Sequence, residues 1–177
     1  MKRKAQKNRK ATGTQDNRLF TLEVVLTSGL ITEEFAARNP VVSRTIQMRG
    51  DQTLDQLHRA IFAAFDRMDE HLYEFRLEEG SGKVRRFLPP MAMSPAFGRD
   101  EGEENANHTT IGSLGIEIAS AFAYWFDFGD DWWHQVNVVA VDEVAPAGKY
   151  PRITQRVGES PPQYPDLGEE YDESEEA

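Results

Sequence analysis

The chain has four histidines. Three of them and one nearby carboxylate are placed in the sequence where they could bind a metal ion or transfer protons. His58, His71 and His134 fall on apolar faces of predicted elements, and Asp127 precedes His134 in one predicted hairpin. Such side chains suit zinc or another divalent ion, but H-E-x-x-H, paired cysteines and an i,i+4 His pair are absent from the sequence. We therefore expect no cofactor and hydrogen-bonded core histidines. A metal-dependent hydrolase built on His58, Asp127 and His134 is the alternative.

The densest aromatic stretch, FAYWFDFGDDWWHQVNVVAV from Phe122 to Val141, has the alternation of a β-hairpin that turns near Gly129. A loop with an even number of residues would place Asp127 and His134 side by side on one face, together with Trp125, because cross-strand partners share a face. The opposite face would then hold four rings, namely Phe122, Tyr124, Phe126 and Phe128. An odd loop with a bulge would break this arrangement.

The same hairpin also suits a recognition surface, because tryptophan and tyrosine contribute strongly to binding hot spots. The alternative is that both of its faces are buried in the middle of a sheet. The aspartates at its tip suit a turn. The predicted binding or polar centre comprises eight residues: His58, His71, Tyr124, Trp125, Asp127, Asp131, Trp132 and His134.

The secondary-structure elements predicted to position these residues are several strands and one helix. Alternating apolar residues predict strands over 19–26, 41–49 and 71–77, and a short edge strand over 84–88. Thr53 and Gln56 form a capping-box pattern, so we expect a helix from about Leu54 to Phe65. The predicted fold class is α+β, a mostly antiparallel sheet with the helix packed on one face and the aromatic hairpin near its middle.

Charge divides the 177 residues into a body and two ends. Residues 1–10 carry six basic groups and residues 166–177 carry seven acids, so the net charge of −10 leaves −9 for residues 11–165. We predict a disordered basic arm over 1–17, one domain over 18–165 and a disordered acidic tail over 166–177. The arm is a solubilising leader or, alternatively, a nucleic-acid contact, whereas the acidic body disfavours a nucleic-acid surface. The loop 91–107 is functional or disordered.

Several function classes lack their sequence signals. The chain has no cysteine, no P-loop and no G-x-S-x-G nucleophile elbow, which excludes disulfides, thiolate chemistry and two common catalytic motifs. No apolar run approaches the roughly 20 residues that span a bilayer. We expect a cytoplasmic protein that does not act at a membrane.

Three blocks, TLDQLHRAIFAAF, HLYEF and FAYWFDFGDDWWH, resemble the signature of the plasmid pRiA4b open-reading-frame-three-like family. That family shows a "tL-x-x-LH-x-aI" helix, an "HL-x-x-F" strand and a "Y-x-x-DFGD-x-W-x-H" hairpin. Thr154 stands where a cysteine is usual, and Pro161-Pro162-Gln163 replaces a PPED-like run. The resemblance implies a small α+β domain of poorly characterised function, found on plasmids and near mobile elements, with no catalytic residues to transfer.

The absence of catalytic motifs favours a non-enzymatic binding or accessory module with a protein partner. The alternatives are the metal-dependent hydrolase and a DNA-binding accessory protein of mobile elements that uses the basic arm.

Overall fold

The computed structural model describes residues 15–93 and 102–166 of the chain. The described residues form eight strands, two α-helices and a 3-10 turn at Ile111–Ser113. The strands and helices, in chain order, are β1 (Leu19–Ser28), α1 (Glu33–Arg38), β2 (Ser43–Arg49), α2 (Leu54–Ala64), β3 (Tyr73–Glu78), β4 (Val84–Leu88), β5 (Glu103–Asn105), β6 (Ala121–Phe126), β7 (Trp132–Asp142) and β8 (Arg152–Val157).

All eight strands belong to one mixed sheet with the order β5-β4-β3-β6-β7-β1-β2-β8. Neighbouring strands are antiparallel except β4 and β5, which are parallel. The β6–β7 hairpin lies in the middle, where β3 pairs with β6 and β1 pairs with β7. Both strands of the hairpin are therefore held on both edges, which fixes their register.

The predicted α+β fold class is wrong, because the protein has a mainly β fold. Helix accounts for only 14% of the structure, in two α-helices of 6 and 11 residues. The sequence analysis missed strands β5 and β8. Strand β8 lies at the edge of the sheet and all six of its residues are exposed, so it shows no apolar alternation from which it could be predicted.

Helix α2 begins as the capping box predicts. The Thr53 hydroxyl accepts a hydrogen bond from the Gln56 backbone N–H, and the Gln56 side-chain oxygen accepts one from the Thr53 N–H at 2.8 Å. These bonds satisfy two donors that the first helical turn leaves without partners. The buried stripe of α2 then faces the sheet with five residues: Leu54, Leu57, His58, Ile61 and Ala64.

Burial alternates along the hairpin and defines two faces of the sheet. We call the face against which α2 packs the closed face and the opposite, partly solvated face the open face. On β6 and β7 the closed face carries seven buried residues: Phe122, Tyr124, Phe126, Trp132, His134, Val136 and Val138. The residues between them are partly or fully exposed. Neighbours in sequence along this hairpin therefore meet different environments.

The two charged ends are described only in part. Residues 1–14, 94–101 and 167–177 lie outside the described residues, so the basic arm, part of the 91–107 loop and the acidic tail stay predictions. Gln15 and Asp16, at the end of the predicted arm, bond to the body: Gln15 donates to the Asp51 carboxylate at 2.8 Å, and the Asp51 N–H donates to the Asp16 carbonyl. No helix in the described ranges is long and apolar enough to cross a bilayer.

Candidate functional site on the two faces of the hairpin

The turn of the hairpin differs from the predicted even loop. Phe126 pairs with Trp132, so the loop is residues 127–131, an odd number. Asp127 and Asp131 both adopt left-handed backbone, with φ of 57° and 54°. The Asp127 carboxylate accepts hydrogen bonds from the backbone N–H groups of Gly129 and Asp130. Aspartate tolerates this conformation because its short side chain can bond the local backbone.

This register corrects the predicted pairing of Asp127 with His134. His134 lies opposite Tyr124 on the closed face, whereas Trp125 lies opposite Trp133 on the open face. The prediction that Trp125, Asp127 and His134 share one face is therefore wrong. Among the described residues, no three His, Asp or Glu side chains come close enough together to hold a metal ion.

Asp127 instead contacts His71. The His71 Nε2 atom lies 3.4 Å from the Asp127 carboxylate and 3.1 Å from the Tyr164 hydroxyl. Strand β3 begins at Tyr73, after His71, and the His71 side chain is 38% exposed. His71 is therefore a partly exposed residue near the surface, and it is not the buried core residue that its sequence context predicts.

His58, on the buried stripe of α2, lies between two tyrosines. Its Nδ1 atom lies 2.7 Å from the Tyr124 hydroxyl, and its ring stacks on Tyr73 at 3.8 Å between centroids. Burial lowers the pKa of His58 to about 4, so the ring is neutral at pH 7. Burial also raises the pKa of Tyr73, whose hydroxyl donates to Asp55 at 3.1 Å. The Tyr73 hydroxyl therefore stays protonated and acts as a hydrogen-bond donor to Asp55.

A polar cleft of about 640 Å³ opens beside this network. His58 and His71 both line this cleft, together with acidic, basic and apolar side chains. The full lining is Asp55, His58, Arg59, Glu70, His71, Leu72, Tyr73, Pro89 and Met91. The cleft thus joins two of the predicted site residues, but it presents mixed charge and no nucleophile with an adjacent base.

Deeper on the closed face, Arg67 lies over Trp132 with its guanidinium carbon 3.6 Å from the ring centroid. Arg67 is 7% exposed, and its Nε, Nη1 and Nη2 atoms have no hydrogen-bond partner in the described part of the chain. Burial lowers the pKa of Arg67 to about 10, which leaves it charged at pH 7. The backbone of Gly29 covers the Trp132 ring, because a side chain at Gly29 would collide with it.

His134 lies close enough to be influenced by the charge of this arginine. It is 2% exposed, and neither ring nitrogen has a hydrogen-bond partner within the described residues. Burial, reinforced by the positive charge of Arg67, lowers the pKa of His134 to about 3. The backbone of Tyr124 and Trp132 opposes this shift, but neither makes a hydrogen bond of acceptable geometry with the ring. His134 is therefore a neutral, buried imidazole beside an unpaired guanidinium.

A second buried arginine shows the opposite arrangement. Arg44 is 1% exposed, and its guanidinium lies over the Phe65 ring at 4.9 Å. Its nitrogens donate to five acceptors at 2.7 to 3.2 Å: the carbonyls of Ser43, Ala64, Val157 and Gly158 and the Ser160 hydroxyl. Arg44 thus ties β2, α2 and the segment after β8 together.

The open face of the hairpin carries a stack of aromatic rings. Trp125 and Trp133 lie parallel, 4.8 Å apart with 7° between their planes, and Phe128 adds a third ring 4.2 Å from Trp125. The Trp125 indole N–H donates to the Asp131 carboxylate at 2.9 Å. The guanidinium of Arg76 lies within 5 Å of both indole centroids. All three rings are partly exposed.

An ion-pair network holds Arg76 in place over these rings. Glu74, whose side chain is fully buried, accepts from Arg76 at 2.6 Å and from Arg86 at 2.9 Å. Burial alone would raise the pKa of Glu74, but the hydrogen bonds from Arg86 and Arg76 outweigh burial and lower it. Both arginines are therefore fixed by a carboxylate that stays ionised.

A groove of about 430 Å³ runs along the open face next to Trp133. Its wall combines the indole with charged, amide and small side chains. It is lined by Thr27, Arg76, Glu78, Val84, Ala121, Phe122, Ala123, Trp133, His134 and Gln135. Two of these residues, Phe122 and His134, are buried and have their side chains on the closed face. Such a surface offers an apolar anchor point inside a polar rim.

The sequence analysis missed the residues that complete both faces. The burial of Arg44 could have been predicted, because its position in the strand puts it on the same face as the apolar residues Val42, Ile46 and Met48. A charge on such a face needs hydrogen-bond partners. Arg67 follows the helix in a polar segment and has no periodicity that would mark it as buried. Arg76 reads as a solvated strand residue until the β3–β6 register places it beside Trp125.

Known proteins resemble this chain in sequence and fold. The family model described as "Plasmid pRiA4b ORF-3-like protein" matches residues 31–176. The uncharacterized protein y4hQ of Sinorhizobium fredii is 28% identical over 128 residues, which covers 70% of this chain and 59% of that protein. The chain therefore spans about three fifths of the length of that curated relative.

One solved structure shares the fold. The crystal structure of MM3350 from Methanosarcina mazei Go1, titled a protein of unknown function, aligns with a TM-score of 0.64 at 21% identity, covering 82% of this chain and 72% of that one. The family match extends over most of the domain, including α2, the hairpin and the segment after β8. The chain thus belongs to the plasmid pRiA4b ORF-3-like family.

Proposed function

We propose that this chain is a protein-binding module whose contact surface is the open face of the β6–β7 hairpin. One observation carries the proposal: the Trp125–Trp133 stack is partly exposed on the face of the sheet opposite α2. Tryptophan and arginine dominate binding hot spots, and here Arg76 adjoins both indoles.

The surface is organised before any partner arrives. Trp125 is fixed by its hydrogen bond to Asp131, and Arg76 is fixed by the buried carboxylate of Glu74. Side chains that are already ordered lose little conformational entropy on association, so a larger part of the contact free energy remains for binding. This rigidity favours a recognition role for the stack.

The partner that fits is a basic polypeptide segment. The body of the chain carries a net charge of −9 outside its two ends. The groove beside Trp133 includes the exposed Glu78 together with Arg76, whose charge is paired with the Glu74 carboxylate. Aromatic faces attract guanidinium and ammonium groups, as Arg76 already illustrates within the chain. We infer that a lysine or arginine side chain of the partner enters the groove and lies against Trp133.

Site-directed photo-crosslinking in the source cells tests this surface. A photoreactive amino acid replaces Gln135, which is exposed in the groove, and a control carries it at Val144, which is 71% exposed beyond the end of β7. We expect a discrete adduct from position 135 that Trp133→Ala abolishes. No adduct from position 135, or the same adduct from position 144, contradicts the proposal.

The partner identified in that adduct then allows affinity to be measured with purified proteins. We expect Trp133→Ala to weaken binding at least tenfold, as removal of a hot-spot residue does. Val139→Ala is the matched control, because Val139 is an exposed residue of the same strand outside the groove. Equal effects of the two substitutions would remove Trp133 from the binding surface.

The two other functions considered from the sequence have less support. The metal-dependent hydrolase required His58, Asp127 and His134 to converge, and the register separates Asp127 from His134. The DNA-binding function rests on residues 1–10, which lie outside the described residues, and stays a prediction. A DNA shift titrated with salt, comparing the chain with and without residues 1–14, tests it.

A further inference from the structure

We propose that Arg67, Trp132 and His134 form an internal binding site for a small oxyanion, either a carboxylate or an inorganic phosphate. This site lies on the closed face and is separate from the open-face surface of the proposed function. The proposal rests on buried donors that have no acceptor within the described part of the chain.

The unpartnered groups are predominantly donors. A guanidinium offers only N–H groups, the Trp132 indole offers one N–H, and a neutral His134 offers one more. All three Arg67 nitrogens and the Trp132 Nε1 atom are buried without a partner. The group that completes this site must therefore supply several acceptors, which oxyanions do.

The charge of Arg67 points the same way. Asp127 is close enough to influence Arg67, yet its carboxylate binds the backbone at Gly129 and Asp130 and contacts His71 instead. No ion pair to Arg67 occurs in the described ranges, so the buried guanidinium has no carboxylate in direct contact with it. Such charges in protein interiors are paired, and an anion would provide the pair.

The contrast with Arg44 shows that the fold can satisfy a buried guanidinium completely. Arg44 has five protein acceptors, whereas Arg67 has none, although each lies over an aromatic ring. The difference lies in the acceptors and not in burial. It marks Arg67 as the arginine whose acceptor comes from a ligand.

Two sources could supply the oxyanion. The loop that carries Arg67 is pinned by Gln163, whose side-chain oxygen accepts from the Met68 and Asp69 N–H groups. A free anion would enter when this contact opens. The acidic segment 167–177 follows Gln163 by only a few residues, so one of its carboxylates is the second source.

Calorimetric titration and thermal unfolding of the full chain with inorganic phosphate or acetate, against chloride at equal ionic strength, test the site. At about 100 times the dissociation constant, we expect the unfolding midpoint to rise by about 5 °C. Arg67→Met removes the response, and Arg59→Met, which changes a largely exposed arginine of α2, retains it. Calorimetry on the unmodified chain keeps the test valid if Arg67→Met fails to fold.

A full-length variant with a neutralised tail separates the two sources; its substitutions are Glu169→Gln, Glu170→Gln, Asp172→Asn, Glu173→Gln, Glu175→Gln and Glu176→Gln. A response of the unmodified chain assigns the site to a free oxyanion. A response of the neutralised variant alone assigns it to a tail carboxylate. If neither protein responds, or if Arg67→Met responds like the unmodified chain, the donors are hydrated by water and the proposal is overturned.

Discussion

Trp132 and Trp133 are neighbours in sequence, yet they lie in opposite environments. Trp132 is fully buried on the closed face between the Gly29 backbone and Arg67, whereas Trp133 is partly exposed on the open face against Trp125. One hairpin therefore supplies both a buried part of the core and a partly exposed aromatic surface, which is the surface that we propose binds a partner. Alternation along the strands separates the two roles.

The largest expected effect is a difference in stability between alanine substitutions of these two tryptophans. Trp132→Ala should lower the free energy of unfolding by about 3–5 kcal/mol, because it removes a fully buried indole from the core. Trp133→Ala should cost about 1 kcal/mol, the value of a partly exposed aromatic pair. Urea unfolding measures both. Equal losses would mean that the two faces are equally part of the core.

The next effect is a dependence of protein stability on pH, which arises from a histidine on the closed face. The pKa of His134 is about 3 in the folded protein and near 6.5 when unfolded, so between these values the unfolded state binds the additional proton. Stability should therefore fall as pH falls from 6.5 to 3, by on the order of 4 kcal/mol from this residue. His134→Phe should flatten that part of the profile.

His71→Phe is the control for this pH experiment, because His71 is more than one third exposed. Unfolding midpoints recorded from pH 7 to pH 3 compare the two variants with the unmodified chain. A His134→Phe profile as steep as that of the unmodified chain would show that His134 is not buried as described.

The two buried arginines provide a third, smaller difference. Arg44→Met should cost about 2–3 kcal/mol, since it leaves buried carbonyls without donors. Arg67→Met should change stability by less than about 1 kcal/mol without an added anion, because no protein hydrogen bond is lost and an apolar side chain suits the site. Denaturant unfolding in chloride buffer measures both. A larger loss for Arg67 would reveal protein acceptors for its guanidinium or a strongly stabilising contact with the Trp132 ring.

The smallest effect lies at the hairpin tip, on the open-face side. Asp131→Ala removes the acceptor of the Trp125 indole N–H and places alanine in left-handed backbone, so we expect a loss of about 1 kcal/mol. Asp131→Asn should recover most of it, because asparagine retains an acceptor and tolerates that conformation. Thermal unfolding distinguishes them. Equal losses for both variants would mean that the Trp125 bond does not stabilise the tip.

Local signals in the sequence predict much of the scaffold of these two faces. The capping box at Thr53 and Gln56 is observed, because both of its bonds form between residues that are close in sequence. The family resemblance, carried by the helix, strand and hairpin motifs, is also confirmed. These features depend on short-range patterns.

What the sequence could not predict depends on non-local geometry. The even-loop prediction failed because two aspartates adopt left-handed backbone, a choice that residue type permits but does not dictate. The α+β prediction failed partly because β8 pairs with β2 through backbone alone and shows no apolar periodicity. The burial of Arg67 could not be predicted, since it follows from packing against Trp132, which is far away in the sequence.

Fluorine NMR of the chain labelled with 5-fluorotryptophan tests the division between the faces most directly, because the chain has only three tryptophans. The partner segment captured by crosslinking should shift the Trp125 and Trp133 resonances and leave Trp132 in place. Inorganic phosphate should shift Trp132 alone, either in the unmodified chain or, where a tail carboxylate already fills the site, in the variant with the neutralised tail. Resonances that move together, or a partner that perturbs only Trp132, would contradict the separation of a closed face that folds from an open face that binds.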